Sequence, residues 1–94
     1  MGESIKVMIV TFTSAAVHEL ARGLVGWVSI QIGLLLVDGI AVRRSQNGRL
    51  YLAFPSPTDR RGRRREVVRP LDTHARRVIE AAVLNALEAQ GEPR

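Results

Sequence analysis

Arg43-Arg44-Ser45-Gln46-Asn47-Gly48-Arg49, then Leu50-Tyr51-Leu52-Ala53-Phe54-Pro55, then Ser56-Pro57-Thr58-Asp59-Arg60-Arg61-Gly62-Arg63-Arg64-Arg65-Glu66, is the stretch whose reading decides the fold. Asn47 and Gly48 both tolerate positive φ, so one strand is expected to reverse onto the next there. The apolar run that follows closes at Pro55, which has no N–H to give to a sheet ladder. Five arginines then fall within the six positions 60–65. That much charge cannot be buried without partners, so 55–66 reads as a basic loop on the surface beside the sheet edge.

Working back from the turn, Leu34 to Val42 is a nearly unbroken apolar run interrupted by Asp38-Gly39, the signature of a strand with a bulge or bend. Leu24 to Ile32 alternates at its centre, with Val28, Ile30 and Ile32 on one side and Ser29 and Gln31 on the other, and Gly33 ends it. Ile5 to Phe12 is rich in β-branched residues and reads as a first strand. Thr13 to Arg22 fits either two helical turns or a long hairpin connection. Working forward, Glu66 to Arg69 reads as a short edge strand stopped by Pro70. A C-terminal helix over 71–90 follows, capped by Asp72 or Thr73 and ended by Gly91 and Pro93. Ala75, Val78, Ile79, Ala82, Val83, Ala86 and Leu87 recur along it at three- and four-residue spacing, a stripe that packs on a sheet. The expected class is α+β, a small antiparallel β-sheet packed by a long C-terminal helix.

Leu34-Leu35-Leu36-Val37 and Leu50 to Phe54 are apolar at successive positions and therefore on both faces of the sheet, whereas one helix covers one face. The second covering layer is either the segment around Val17 to Leu20 or another copy of the chain. A homodimer is expected.

The 94 residues make one domain, 1–94, with one modest core. The net charge is +5 and thirteen of the fourteen basic residues are arginine, whose planar fork suits phosphate or carboxylate. The absence of cysteine excludes disulfides, thiolate metal sites and a cysteine nucleophile, and fits a cytoplasmic protein. Leu24 to Val37 is uncharged but shorter than the roughly 20 residues a bilayer span needs, so no integral membrane insertion is expected. Glu3 before the first apolar run makes a poor secretory signal. His18 and His74 lack metal-ligand spacing, no nucleophile elbow surrounds Ser56, and Gly23-x-x-Gly26 is not a phosphate-binding loop. Neither an enzyme nor a cofactor is expected.

Arg60, Arg61, Arg63, Arg64, Arg65, Arg69, Arg76 and Arg77 face only Glu66 and Asp72 between positions 60 and 77, a local balance of +6. Such a group neutralises phosphates and gives salt-dependent, largely sequence-independent affinity for DNA or RNA. Arg76 and Arg77 fall in the first helical turn, where a bound anion offsets the unfavourable dipole; the alternative is that Arg76 pairs with Glu80 at i, i+4 and the loop is a solvated insertion. Arg43 and Arg44, with Arg49, flank the hairpin turn and extend the basic surface. Trp27, Tyr51 and Phe54 read as core residues rather than base-stacking ones.

From Leu50 to Leu71 the order of features resembles the stage V sporulation protein G family: Ala53, Pro55, Ser56, Gly62, Arg65, Glu66, Val67, Val68, Pro70 and the helix from Thr73 match its pattern with no gap between the two prolines. Val28-Ser29-Ile30 and Ile40-Ala41-Val42 are similar to its upstream strands, and the likeness covers roughly the last seventy residues. Three departures stand out. Pro57-Thr58 replaces a Lys-Arg pair, Arg60-Arg61-Gly62-Arg63-Arg64 replaces Pro-Asp-Gly-Glu-Phe, and the family's acidic tail has no counterpart. The resemblance implies an α+β fold, dimers, and cytoplasmic regulators of septation, sporulation and gene expression that bind DNA or RNA. The rival expectation is a protein-interaction module in cell division that docks its basic loop on an acidic protein partner or an anionic membrane surface.

Overall fold

Gly33, at φ +58°, turns one strand back onto another, and this hairpin forms the centre of the sheet. Its arms are Leu24–Ile32 (β2) and Leu35–Arg44 (β3), with Val7–Ser14 (β1) outside β2 and Leu50–Ala53 (β4) outside β3. The four strands are antiparallel in the order β1-β2-β3-β4. A single helical turn, Val17–Leu20 (α1), links β1 to β2, and Thr73–Ala89 (α2) is the long C-terminal helix. The computed structural model describes residues 5–63 and 68–91. The α+β class expected from the sequence is what the chain adopts.

The bulge falls where Asp38-Gly39 marks it. Val28 pairs with Ile40 and Ile30 with Val37, so Ser29 alone opposes Asp38 and Gly39. Gly39 takes φ +70°, and the Asp38 carboxylate binds both the Ser29 hydroxyl and the Gly39 N–H. Ser29 is the buried polar residue among those described, and this bond satisfies it.

Several boundaries differ from the sequence reading. The first strand runs Val7–Ser14 rather than Ile5 to Phe12, because Thr13 and Ser14 pair with Trp27 and Gly26. Leu34 belongs to the turn, not to β3. The reversal after Arg44 is not a two-residue Asn-Gly turn: Ser45 N–H donates to Arg49 O, Gly48 N–H donates to Ser45 O, and Gly48 is the residue with positive φ, at +85°. Asn47 contributes through its side chain, which accepts the Arg49 N–H at 3.2 Å. This three-residue connection with a left-handed glycine matches the strand twist as the tighter turn would. Of the expected edge strand Glu66 to Arg69, the first half lies outside the described residues, and Val68 and Arg69 are not in a strand. The helix is shorter than 71–90, with Asp72 as its cap: its carboxylate accepts the Ala75 N–H at 2.8 Å. Gly91, at φ +82°, donates to Glu88 O and ends it.

Side chains alternate as the register requires, and α2 lies on one face. Val28, Ile30, Ile40, Val42 and Leu52 from the sheet meet Val83 and Leu87 from the helix, all fully or almost fully buried. Each such side chain contributes on the order of 1.5–3 kcal/mol relative to exposure. The opposite face is not the second apolar layer that the leucine runs suggested. Its rows read Met8-Gln31-Leu36, Thr11-Ser29 beside Asp38, Thr13-Trp27-Ala41-Ala53, and Arg43-Tyr51, so apolar and polar residues are mixed.

Candidate nucleic-acid interface

One end of the sheet is basic and the other apolar. Because Leu24 opposes Arg43 while Ile32 opposes Leu35, the nine residues of β2 separate the two ends by roughly 25 Å. At the basic end the connection from α1 returns through Gly23, at φ +91°, whose carbonyl accepts the Arg44 N–H at 2.7 Å. Arg43 Nη2 donates to Arg22 O at 3.1 Å, and Arg44 Nη1 donates to Gly48 O at 3.3 Å. These bonds draw Arg22, Arg43 and Arg44 together, with Arg49 at the foot of the next turn. Arg22 and Arg44 border an open cleft of about 540 Å³, lined also by Gly23 and Ser45 among others. Arg22, Arg44 and Arg49 are exposed and Arg43 is half-buried.

The arginine loop is a second basic group, and its described part is ordered. Asp59 N–H donates to Arg63 O at 2.7 Å and Gly62 N–H to Asp59 O at 3.0 Å, repeating the bonding of the Ser45–Arg49 turn. The Asp59 carboxylate also accepts the Arg61 and Arg63 N–H groups, each at 2.9 Å. Arg60 and Arg61 are therefore held at the exposed tip of a defined turn. The Arg63–Asp59 ion pair, at 3.9 Å with Arg63 well exposed, adds little. Arg64 and Arg65 lie outside the described residues.

The helix arginines divide. Arg77 is exposed beside a groove lined by Ile5, His74 and Asn85. Arg76 is the fourth residue of α2; its own N–H donates to Asp72 O, and its guanidinium donates to Glu80 at 3.1 Å and to Leu52 O at 3.0 Å. The pairing with Glu80, held as the alternative in the sequence, is the one formed. Arg76 also lines a cleft of about 310 Å³ with Tyr51, Ser56 and Arg69, in which the Ser56 hydroxyl is buried without a hydrogen-bond partner among the described residues.

Trp27 and Tyr51 depart from the core assignment. They lie on the face away from α2 and are 36% and 38% exposed, whereas Phe12 and Phe54 pack against the core. Tyr51 stands directly across from Arg43, and Trp27 across from Ala41. Trp27 has the same parity as Ser29 and Gln31 in an alternating strand, so the signal for its outward orientation was in the sequence. Arg22 was missed because nothing local joins it to Arg43.

A family model, SpoVG, matches residues 5–89, nearly the whole described chain. The chain belongs to the SpoVG family. No curated protein matches it. Of the positions that carried the resemblance, Ala53 closes β4, Ser56 lines the cleft beside Arg76, Gly62 makes the arginine turn at φ +78°, and Pro70 precedes the capped helix. Arg65, Glu66 and Val67 lie outside the described residues. No helix of the described residues is long and apolar enough to cross a membrane.

Proposed function

We propose that this SpoVG family member is a cytoplasmic nucleic-acid-binding regulator, a binding protein rather than an enzyme, that acts on septation or gene expression as the family resemblance implies. The observation that carries the reading is the grouping of Arg22, Arg43, Arg44 and Arg49 at one end of the sheet, where Arg22 and Arg44 line an open cleft. Like charges gathered at one end of the sheet repel, and a polyanion bound there relieves the repulsion while releasing its own counterions. The ordered turn carrying Arg60, Arg61 and Arg63, with Arg69 beside Tyr51, enlarges the contact, whereas Arg77, beside Ile5 and His74, lies toward the apolar end. A mobility-shift titration with DNA and with RNA at two salt concentrations tests it. Binding that weakens steeply with salt supports the proposal, and no binding to either in dilute buffer rejects it.

The active species is proposed to be a homodimer joined at the apolar end. Leu34 is wholly exposed and Leu71 87% exposed, with Leu35, Leu36 and Met8 each more than half exposed. Leu71 shares with Ile5 and Ile32 an apolar groove of about 370 Å³ next to the Leu34–Leu36 tip. A knob and a groove side by side can exchange reciprocally across a two-fold axis. Together these side chains expose apolar surface on the order of the 800 Å² that each partner gives to a standard interface. The basic ends then point away from the contact and stay open to nucleic acid.

A further inference from the structure

Trp27 on β2, Arg43 on β3 and Tyr51 on β4 form a diagonal across the face of the sheet that α2 leaves open. Tyr51 and Trp27 are separated by two strand spacings and two residues along the strand, about 12 Å, with Arg43 between them. The floor is flat, because the neighbours on that face are Ala41 and Ala53. Arg43 is held in position by its bond to the Arg22 carbonyl, and Arg49 lies two residues before Tyr51 in the turn at the same edge, while Arg44, next to Arg43 in β3, alternates to the other face. Neither aromatic ring is needed by the core, which closes around Val28, Ile30, Ile40 and Leu52 on the other face.

The geometry points to a stacking platform for single-stranded nucleic acid, in which unpaired bases lie on Trp27 and Tyr51 while Arg43 and Arg49 hold the flanking phosphates. The inference rests on the nucleic-acid reading above and narrows it. Bases inside a duplex are stacked on one another and cannot reach a flat sheet face, whereas single strands splay their bases onto aromatic side chains with little sequence preference. A duplex would meet only the basic end, through its phosphates.

Trp27 is the only tryptophan of the chain, so its fluorescence reports this contact alone. The experiment titrates the full chain with a fluorescein-free oligothymidylate and oligouridylate while following tryptophan emission, with a labelled oligonucleotide followed by anisotropy in parallel and a duplex as comparison. Quenching that saturates with the anisotropy curve for single strands, and is absent for the duplex, is expected. Tyr51→Ala should keep the quenching but weaken single-strand affinity by about five- to a hundredfold, and Trp27→Phe should bind within a fewfold of the parent while Trp27→Ala does not. If anisotropy reports binding of single strands while the emission stays unchanged, stacking is wrong and the broader nucleic-acid reading stands. If no oligonucleotide binds at all, both fall.

Discussion

The Glu80 carboxylate accepts the backbone N–H of Leu52 at 3.0 Å. Arg76, bonded to the same carboxylate oxygen, donates to the Leu52 carbonyl at 3.0 Å, so one ion pair on α2 satisfies both outward backbone groups of an edge-strand residue. Edge strands with unpaired N–H and C=O groups invite further pairing, and here the helix closes that edge in the manner of a missing strand. The pair also fixes α2 on the sheet, since Leu52 is fully buried beneath it.

Glu80→Ala should cost about 1–3 kcal/mol, because it leaves the Leu52 N–H and the Arg76 guanidinium without their acceptor. For a domain of this size each kcal/mol corresponds to a fall in Tm of about 4–8 °C. Thermal unfolding of Glu80→Ala, Arg76→Ala and the double variant should reveal a coupling energy; strictly additive losses would mean that the two side chains act separately.

Gly26→Ala should destabilise by about 1–3 kcal/mol or more. An added Cβ would stand 2.4 Å from the Thr13 carbonyl oxygen and 2.8 Å from the Phe12 ring, so β1 must move away from β2. Gly39 has open space around its Cβ position, and Gly39→Ala should cost only the about 1–2 kcal/mol of placing a side chain at positive φ. Urea unfolding of both variants measures the difference; equal losses would count against the close approach at Gly26.

Asp72→Ala removes the acceptor of the Ala75 N–H and should lower stability by about 1 kcal/mol, with Asp72→Asn retaining most of it. Circular dichroism melts compare the two. A neutral Asp72→Ala would mean that packing alone sets the start of the helix.

Arg44→Ala and Arg76→Ala should have opposite profiles. Arg44 is exposed at the basic end, so its loss is expected to leave Tm nearly unchanged and to reduce the salt slope of nucleic-acid binding by about 0.7–0.9 per lost phosphate contact. Arg76 is engaged with Leu52 and Glu80, so its loss should lower Tm and leave the slope unchanged. A slope that falls with Arg76 and not with Arg44 would move the interface to the helix.

Leu34→Ser should leave the fold intact, because Leu34 is wholly exposed, and should shift sedimentation from two chains toward one at micromolar concentration. A parent chain that already sediments with the mass of one chain would rule out the apolar-end dimer.

The candidate site was legible in part. Arg43, Arg44 and Arg49 were visible as charges around a turn, and Arg60, Arg61 and Arg63 as a loop too basic to bury. That the loop is a bonded turn depends on Asp59, whose carboxylate accepts the Arg61 and Arg63 N–H groups and whose carbonyl accepts that of Gly62, in a stretch that reads simply as charged. Trp27 and Tyr51 were assigned to the core by residue type; the parity of Trp27 with Ser29 and Gln31 already marked it as outward, whereas for Tyr51, in a run apolar throughout, only the register shows the uncovered face.

What the amino-acid sequence determined by itself was local: a strand interrupted at Asp38-Gly39, reversals at Gly33 and Gly48, and a helix capped at Asp72 and stopped at Gly91. Each follows from backbone preferences that act within a few residues. What only the tertiary structure decided was which face of the sheet α2 covers, and with it the engagement of Arg76 at the edge of β4 and the outward aspect of Tyr51. Those outcomes depend on contacts between residues 24 to 28 positions apart in the case of Arg76 and Glu80 with Leu52, and no periodicity within a single element encodes them.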